Sequence, residues 1–143
     1  MKIHVVSGSE GHIEGYERVE VSENGDANLS GYSDNECSFI LATDALDSMG
    51  YDQAKIFIMT ARQKLRLGGT VIVGGTDMRL FARSIVADQV NVEEANQVLF
   101  TKKSMLDTNT VSSIVKDMGL KVITTRIAGI HYEVEAKREA PSN

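Results

Sequence analysis

The chain has 143 residues, 42% hydrophobic and 24% charged, the composition of one ordinary globular domain able to bury about two thirds of its unfolded surface. Its net charge of -5 argues against a general nucleic-acid backbone binder, which needs a concentrated Lys/Arg face; Arg79, Arg83, Lys102 and Lys103 read as solvated helix and loop charge. A single cysteine excludes an internal disulfide framework, the three histidines are not spaced as metal ligands, and no apolar run approaches the roughly 18 residues of a membrane span.

In chain order, Ile3 to Val6 reads as a buried parallel strand feeding the turn Ser7-Gly8-Ser9. Val19 and Val21 flank Glu20 in a second short strand, and Asn24-Gly25-Asp26 is turn chemistry leading to a brief third strand at Ala27–Leu29. Cys37 precedes the apolar run of the fourth strand, Ser38–Ala42, and reads as a buried small hydrophobe. Asp52 is a candidate helix N-cap, after which Ala54, Phe57, Ile58, Ala61 and Leu65 recur at helical spacing. Gly68-Gly69 is expected to end that helix and release a fifth strand at Val71-Ile72-Val73.

Asp77 can cap a helix running to about Asp88, with Leu80, Phe81, Ser84 and Ile85 inward. Asn91–Phe100 reads as an additional short helix or a loop excursion. Thr108 or Asn109 starts another helix, with Val111, Ile114, Val115 and Met118 on one face and Gly119 just past its end. Lys121–Ile127 and His131–Ala136 read as an antiparallel hairpin through Ala128-Gly129-Ile130. No repeat or linker divides the chain, so residues 1–138 are expected to form one domain and 139–143 a flexible tail. The N-terminus lacks a basic-then-apolar leader, which makes the cytoplasm, of a cell or of a virus-infected cell, the expected compartment.

The order of these pieces resembles small class I S-adenosylmethionine (SAM)-dependent methyltransferases of the type 11 sort. Gly15-Tyr16-Glu17-Arg18-Val19-Glu20 is similar to that family's Gly-Trp/Tyr-x-Asn-Val-Asp segment, and Asp34-Asn35 to its Asp-Asn pair. Leu46-Asp47-Ser48 stands at the family's Leu-Glu-His, Leu65-Arg66-Leu67-Gly68-Gly69 at its Leu-Lys-Pro-Gly-Gly, and Thr76-Asp77 at its Pro-Asp. The resemblance implies a Rossmann-like α/β sheet, mostly parallel, closed by an antiparallel C-terminal hairpin.

It also implies a site at the carboxyl ends of the strands. Ser7 and Gly8 would approach the amino-acid portion of SAM, Glu20 the ribose hydroxyls, Asn28 and Leu29 the adenine, and Thr43 the methyl group. The family's two histidines around the fourth strand are Asp44 and Ser48 here, which leaves Asp44 and Asp47 as candidate bases. Among the histidines, His4 reads as a core or edge residue, His12 lies near the presumed cofactor turn, and His131 starts the last strand.

Two function classes stay open: a methyltransferase acting on a small-molecule or glycan-like acceptor, and a catalytically degenerate fold serving as scaffold or regulatory subunit. About ten residues separate the first two strands, too few for an ordinary helical crossover, so the early crossover helices are expected to be reduced. Ile3, Val5, Val19 and Val21 then need cover, and a homodimer through the N-terminal third is the expected source.

Overall fold

The computed structural model describes residues 1–8, 11 and 13–139. Of the sequence features above, Ser9, Glu10, His12 and the tail beyond Glu139 lie outside the described residues.

Among the described residues ten strands and helices follow one another: β1 (Lys2–Val6), β2 (Glu17–Glu20), β3 (Cys37–Ala42), α1 (Tyr51–Lys64), β4 (Leu65–Thr76), α2 (Met78–Val86), α3 (Val92–Phe100), α4 (Thr108–Asp117), β5 (Lys121–Ala128) and β6 (His131–Lys137). A short 3-10 turn, Ala45–Ser48, precedes α1. The strands form one six-stranded sheet in the order β2-β1-β3-β4-β6-β5. The first four are parallel, and β6 runs antiparallel to both β4 and β5. This is the expected mixed sheet with its closing hairpin.

Four local expectations are corrected. Ala27–Leu29 is not a strand, so four early strands are parallel rather than five. The segment spends its hydrogen bonds locally: Asn28 Oδ1 accepts from Ser30 N and Ser30 Oγ, and Leu29 O accepts from Tyr32 N. Gly50, not Asp52, caps α1; its N–H donates to Gln53 Oε1 at 2.9 Å, and Asp52 sits in the first turn, where the helix dipole favours a carboxylate.

The glycine pair does not end α1, which stops at Lys64 with β4 starting at once. Gly68 and Gly69 lie inside β4, in an irregularity where Cys37 pairs Leu65 but Phe39 already pairs Thr70. Gly68 has φ +84°, and a Cβ on Gly69 would come within 2.8 Å of the Cys37 carbonyl. Finally, α2 buries only Phe81, with Ile85 exposed and Leu80 and Ser84 half-buried.

Register determines which side chains share a face. Ile3 pairs Ile40, which pairs Val71, which pairs Ala136; Ala42, Val73 and Val134 form the next row, alongside Val5. Those residues, with Ala54, Phe57, Ile58 and Ala61 of α1 and Val111, Ile114 and Val115 of α4, make one core on one face of the sheet. Val21, Leu29 and the half-buried Val19, Ala27 and Tyr32 extend it over β1.

Cys37 is fully buried and free, and burial pushes its thiol pKa up, which suits a packing residue. Tyr32, whose hydroxyl is desolvated and bonded to Glu17, has its pKa raised to about 12.

The opposite face carries His4, Val6, Phe39, Leu41 and Ile72. Among the described residues no helix falls between β1 and β2 or between β2 and β3, and Tyr16 of the first connection packs edge-on against Phe39 at 6.2 Å. Ile3, Val5 and Val21 are buried within the single chain, so their cover comes from the chain itself and not from a partner. Among the described residues no helix is long and apolar enough to cross a membrane.

Candidate functional site

Parallel α/β sheets open a crevice at the carboxyl edge wherever successive connections leave a strand in opposite directions. Here the chain passes from β1 to β2 on one side, then returns across β1 to β3 on the other. The switch point therefore lies between β1 and β3. Ser7-Gly8 leaves β1 there and Thr43-Asp44 leaves β3, with Glu20 at the end of β2 next to them.

Gly8 has φ +80°, a left-handed conformation that side chains disfavour, and among the described residues a Cβ there would meet nothing within 4 Å. The Cβ side of Gly8 thus leaves room for a ligand among the described residues. Its carbonyl accepts a 2.6 Å hydrogen bond from Arg18 Nη2, and Arg18 Nη1 lies 3.4 Å from Glu20 Oε2. Arg18 and Glu20 share one side of β2 because they are two residues apart on a strand. That period-2 spacing was visible in the sequence, but the bridge from Arg18 to Gly8 was not. The Glu20 side chain remains 57% exposed, so its carboxylate has free acceptor capacity.

The other nominated residues do different work. Asn28 uses its side-chain oxygen on Ser30, and Leu29, 1% exposed, faces the core. Ser7 and Thr43 are half-buried at the crevice, and the Thr43 carbonyl abuts Gly74. Asp47 is spent on structure. Its Oδ1 accepts from Thr76 N and its Oδ2 from Thr76 Oγ1, both at 2.8 Å, and Lys102 Nζ stands 3.4 Å away. A Cβ on Gly75 would come within 2.5 Å of Asp47 Oδ1, so that glycine admits the carboxylate. Asp44, in contrast, is exposed and lies 3.4 Å from His131 Nε2.

The structure thus gathers Ser7, Gly8, Glu20, Thr43 and Asp44 on neighbouring strand ends and sends Asn28, Leu29 and Asp47 to local or packing roles. His131 joins the group because it pairs Thr76 at the start of β6. His4 is buried in β1. No group of three or more metal-ligating side chains occurs among the described residues.

Behind the site, Asp77 and Asp107 anchor α2 and α4. Asp107 Oδ1 accepts from Thr110 N at 2.7 Å and Oδ2 from Arg79 Nε at 3.1 Å. Hydrogen bonding from Thr110, then from Arg79, holds its carboxyl pKa below the ordinary value. The stability it supplies is therefore complete above the unfolded carboxylate value near 4 and is lost as pH falls through the lowered folded value. Asp107→Asn is expected to be less stable than the parent at neutral pH, and the two should converge on acidification in chemical denaturation; a pH-independent gap would contradict this origin. The Tyr132 hydroxyl, buried and without a hydrogen-bond partner among the described residues, has its pKa raised by desolvation and then by Asp47, Asp77 and Asp107.

No protein-family model and no curated protein matches the sequence. Solved structures do match the fold. An O-methyltransferase family protein from Burkholderia thailandensis superposes over 89% of this chain with a TM-score of 0.60 at 17% identity. A SAM-dependent methyltransferase from Archaeoglobus fulgidus gives 0.60 over 87% at 10% identity, and one from Methanosarcina mazei 0.59 over 93% at 11%. The fold is that of the SAM-dependent methyltransferases. The chain spans 37% of the Burkholderia protein, 77% of the Archaeoglobus protein and 74% of the Methanosarcina protein.

Proposed function

We propose that this chain is a compact, type 11-like SAM-dependent methyltransferase with shortened early crossovers, acting in the cytoplasm on a small-molecule or glycan-like acceptor. The observation that carries the reading is the convergence of an unobstructed left-handed glycine, Gly8, and an exposed carboxylate, Glu20, at the switch point of a methyltransferase fold. The open backbone at Gly8 suits the amino-acid portion of SAM, and Glu20 can accept from two ribose hydroxyls. SAM supplies a methyl group on a positively charged sulfur. Thr43 and Asp44, across the crevice, would face that methyl group, and Ser7 and Asn28 would border the ligand through their backbones.

Glu20→Ala is expected to weaken SAM binding by about 1–3 kcal/mol, the range for losing hydrogen bonds to a charged group. Unchanged affinity in titration calorimetry would remove Glu20 from the ribose role.

One observation favours a second reading, a non-catalytic scaffold or regulatory subunit. Asp47, one of the two sequence candidates for a base, is fully engaged by Thr76 and Lys102. A wild-type protein that binds neither SAM nor S-adenosylhomocysteine would favour that reading.

The functional unit in this reading is a homodimer. Its support is now the face opposite α1 and α4, where Phe39, Leu41 and Ile72 are only half-buried. A second copy related by a twofold axis would cover Phe39, Leu41 and Ile72. Light scattering at micromolar concentration should give twice the mass of the 15.6 kDa chain. A monomer throughout that range would dispose of the dimer.

A further inference from the structure

The carboxyl edge holds a second feature beside the cofactor crevice. A cavity of about 270 Å³ is lined by Arg126, Ile127, Ala128, His131 and Glu133, where β5 ends and β6 begins. His131 belongs to both features: it lines this cavity, and its Nε2 stands 3.4 Å from Asp44 Oδ1, next to the end of β3. We infer that the cavity seats a hydroxyl-bearing acceptor and that His131 takes the hydroxyl proton, with Asp44 as the residue that positions its ring. This rests on the methyltransferase reading above.

Arg126 is held by Glu135 at 3.0 Å and by Glu133 at 3.8 Å, so the wall offers paired donors and acceptors rather than unbalanced charge. Such a wall, set beside the apolar Ile127 and Ala128, suits a neutral hydroxyl compound with an apolar face better than a free anion or cation. A neutral hydroxyl is a poor nucleophile until its proton has somewhere to go, whereas Asp47 is already saturated with hydrogen bonds. Asp44 is free of such ties, and a carboxylate facing Nε2 favours the tautomer with the proton on Nε2. Nδ1 is then the bare lone pair. The 3.4 Å separation is long for a hydrogen bond, as catalytic contacts often are before substrate binds.

The acceptor O–H bond breaks with its proton passing to His131 Nδ1, and the oxygen electron pair forms the new bond to the methyl carbon. The carbon–sulfur bond of the donor breaks with its electron pair left on sulfur.

Two measurements test the inference. Imidazole ¹⁵N spectra of the unliganded protein at alkaline pH should show His131 with its proton on Nε2, and Asp44→Ala should mix the two tautomers. A proton resident on Nδ1, or a ring unaffected by Asp44→Ala, overturns the assignment without reference to any ligand. Second, His131→Gln should retain SAM affinity by calorimetry while methyl transfer to methyl glucoside, glycerol or phenol falls about 100-fold or more. Transfer undiminished in His131→Gln, or a wild type that binds SAM yet methylates none of the three hydroxyl probes, overturns the inference and leaves the cofactor reading standing. A wild type that binds no SAM overturns both, which separates the two failures.

Discussion

Replacing Asp77 with alanine is expected to destabilise the protein by about 3–5 kcal/mol, a large part of the stability of a domain this size. Asp77 is 4% exposed, and both its oxygens are doubly engaged. Oδ1 accepts from Arg79 N and Leu80 N, the first free amides of α2. Oδ2 accepts from Thr108 N at 3.0 Å and Thr108 Oγ1 at 2.8 Å, at the first residue of α4. Losing the cap costs about 1–2 kcal/mol, and the two Thr108 donors left together without their charged acceptor add about 2–3. The backbone adds to the junction, since Asp77 N donates to Ile130 O and Met78 N to Leu106 O. Asp77→Ala therefore loosens α2, α4 and the β5–β6 turn together. Denaturant titration should show the loss as a lower midpoint; a change below about 1 kcal/mol would mean that these elements hold without the carboxylate.

The second large effect is expected from one methyl group. A Cβ on Gly74 would stand 2.3 Å from the Tyr132 carbonyl and 2.5 Å from the Thr43 carbonyl, backbone atoms of the strand on one side and of the turn after β3 on the other. Neither can rotate away as a side chain could, so β3 and β6 must part around β4. Overpacking typically costs about 1–3 kcal/mol, and a backbone clash on both sides places Gly74→Ala at or above the upper end, with Thr43 displaced from the crevice. Gly75→Ala supplies the control, because its Cβ would chiefly meet the Asp47 carboxylate. Gly74→Ala as stable as the wild type would show that the sheet absorbs the methyl group without strain.

These two positions show where sequence reasoning reaches and where it stops. The Asp77 cap was legible because it is local: an acidic residue before a helical pattern satisfies amides two and three residues on. The β5–β6 hairpin, the α4 face and the strand at β3 were legible for the same reason, each written in its own short period. The glycine pair at 68–69 misled because glycine marks both a helix stop and a kinked strand, and only the pairing of Phe39 with Thr70 distinguishes them. Leu29 looked like a strand residue, but Asn28 and Tyr32 close the chain on itself there.

The layout of the candidate site was half legible. Gly8 and Glu20 come to the crevice from adjacent strands, as their places at strand ends imply. Asp47 carried the same letters as a catalytic acid and is occupied by Thr76, a partner supplied by the fold. The proximity of Asp44 to His131 arises from β6 inserting beside β4, an antiparallel placement that the local sequence around either residue does not encode. Arg18 was overlooked because a strand arginine ordinarily faces water, and its bond to Gly8 O appears only once β1 and β2 pair.

The most direct test of the proposed cofactor crevice is titration calorimetry of the wild-type chain with SAM and with S-adenosylhomocysteine. A site built from Gly8 and Glu20 predicts saturable binding of both ligands at one per chain, with the affinity reduced in Glu20→Ala. A folded wild-type protein that takes up neither ligand would contradict it.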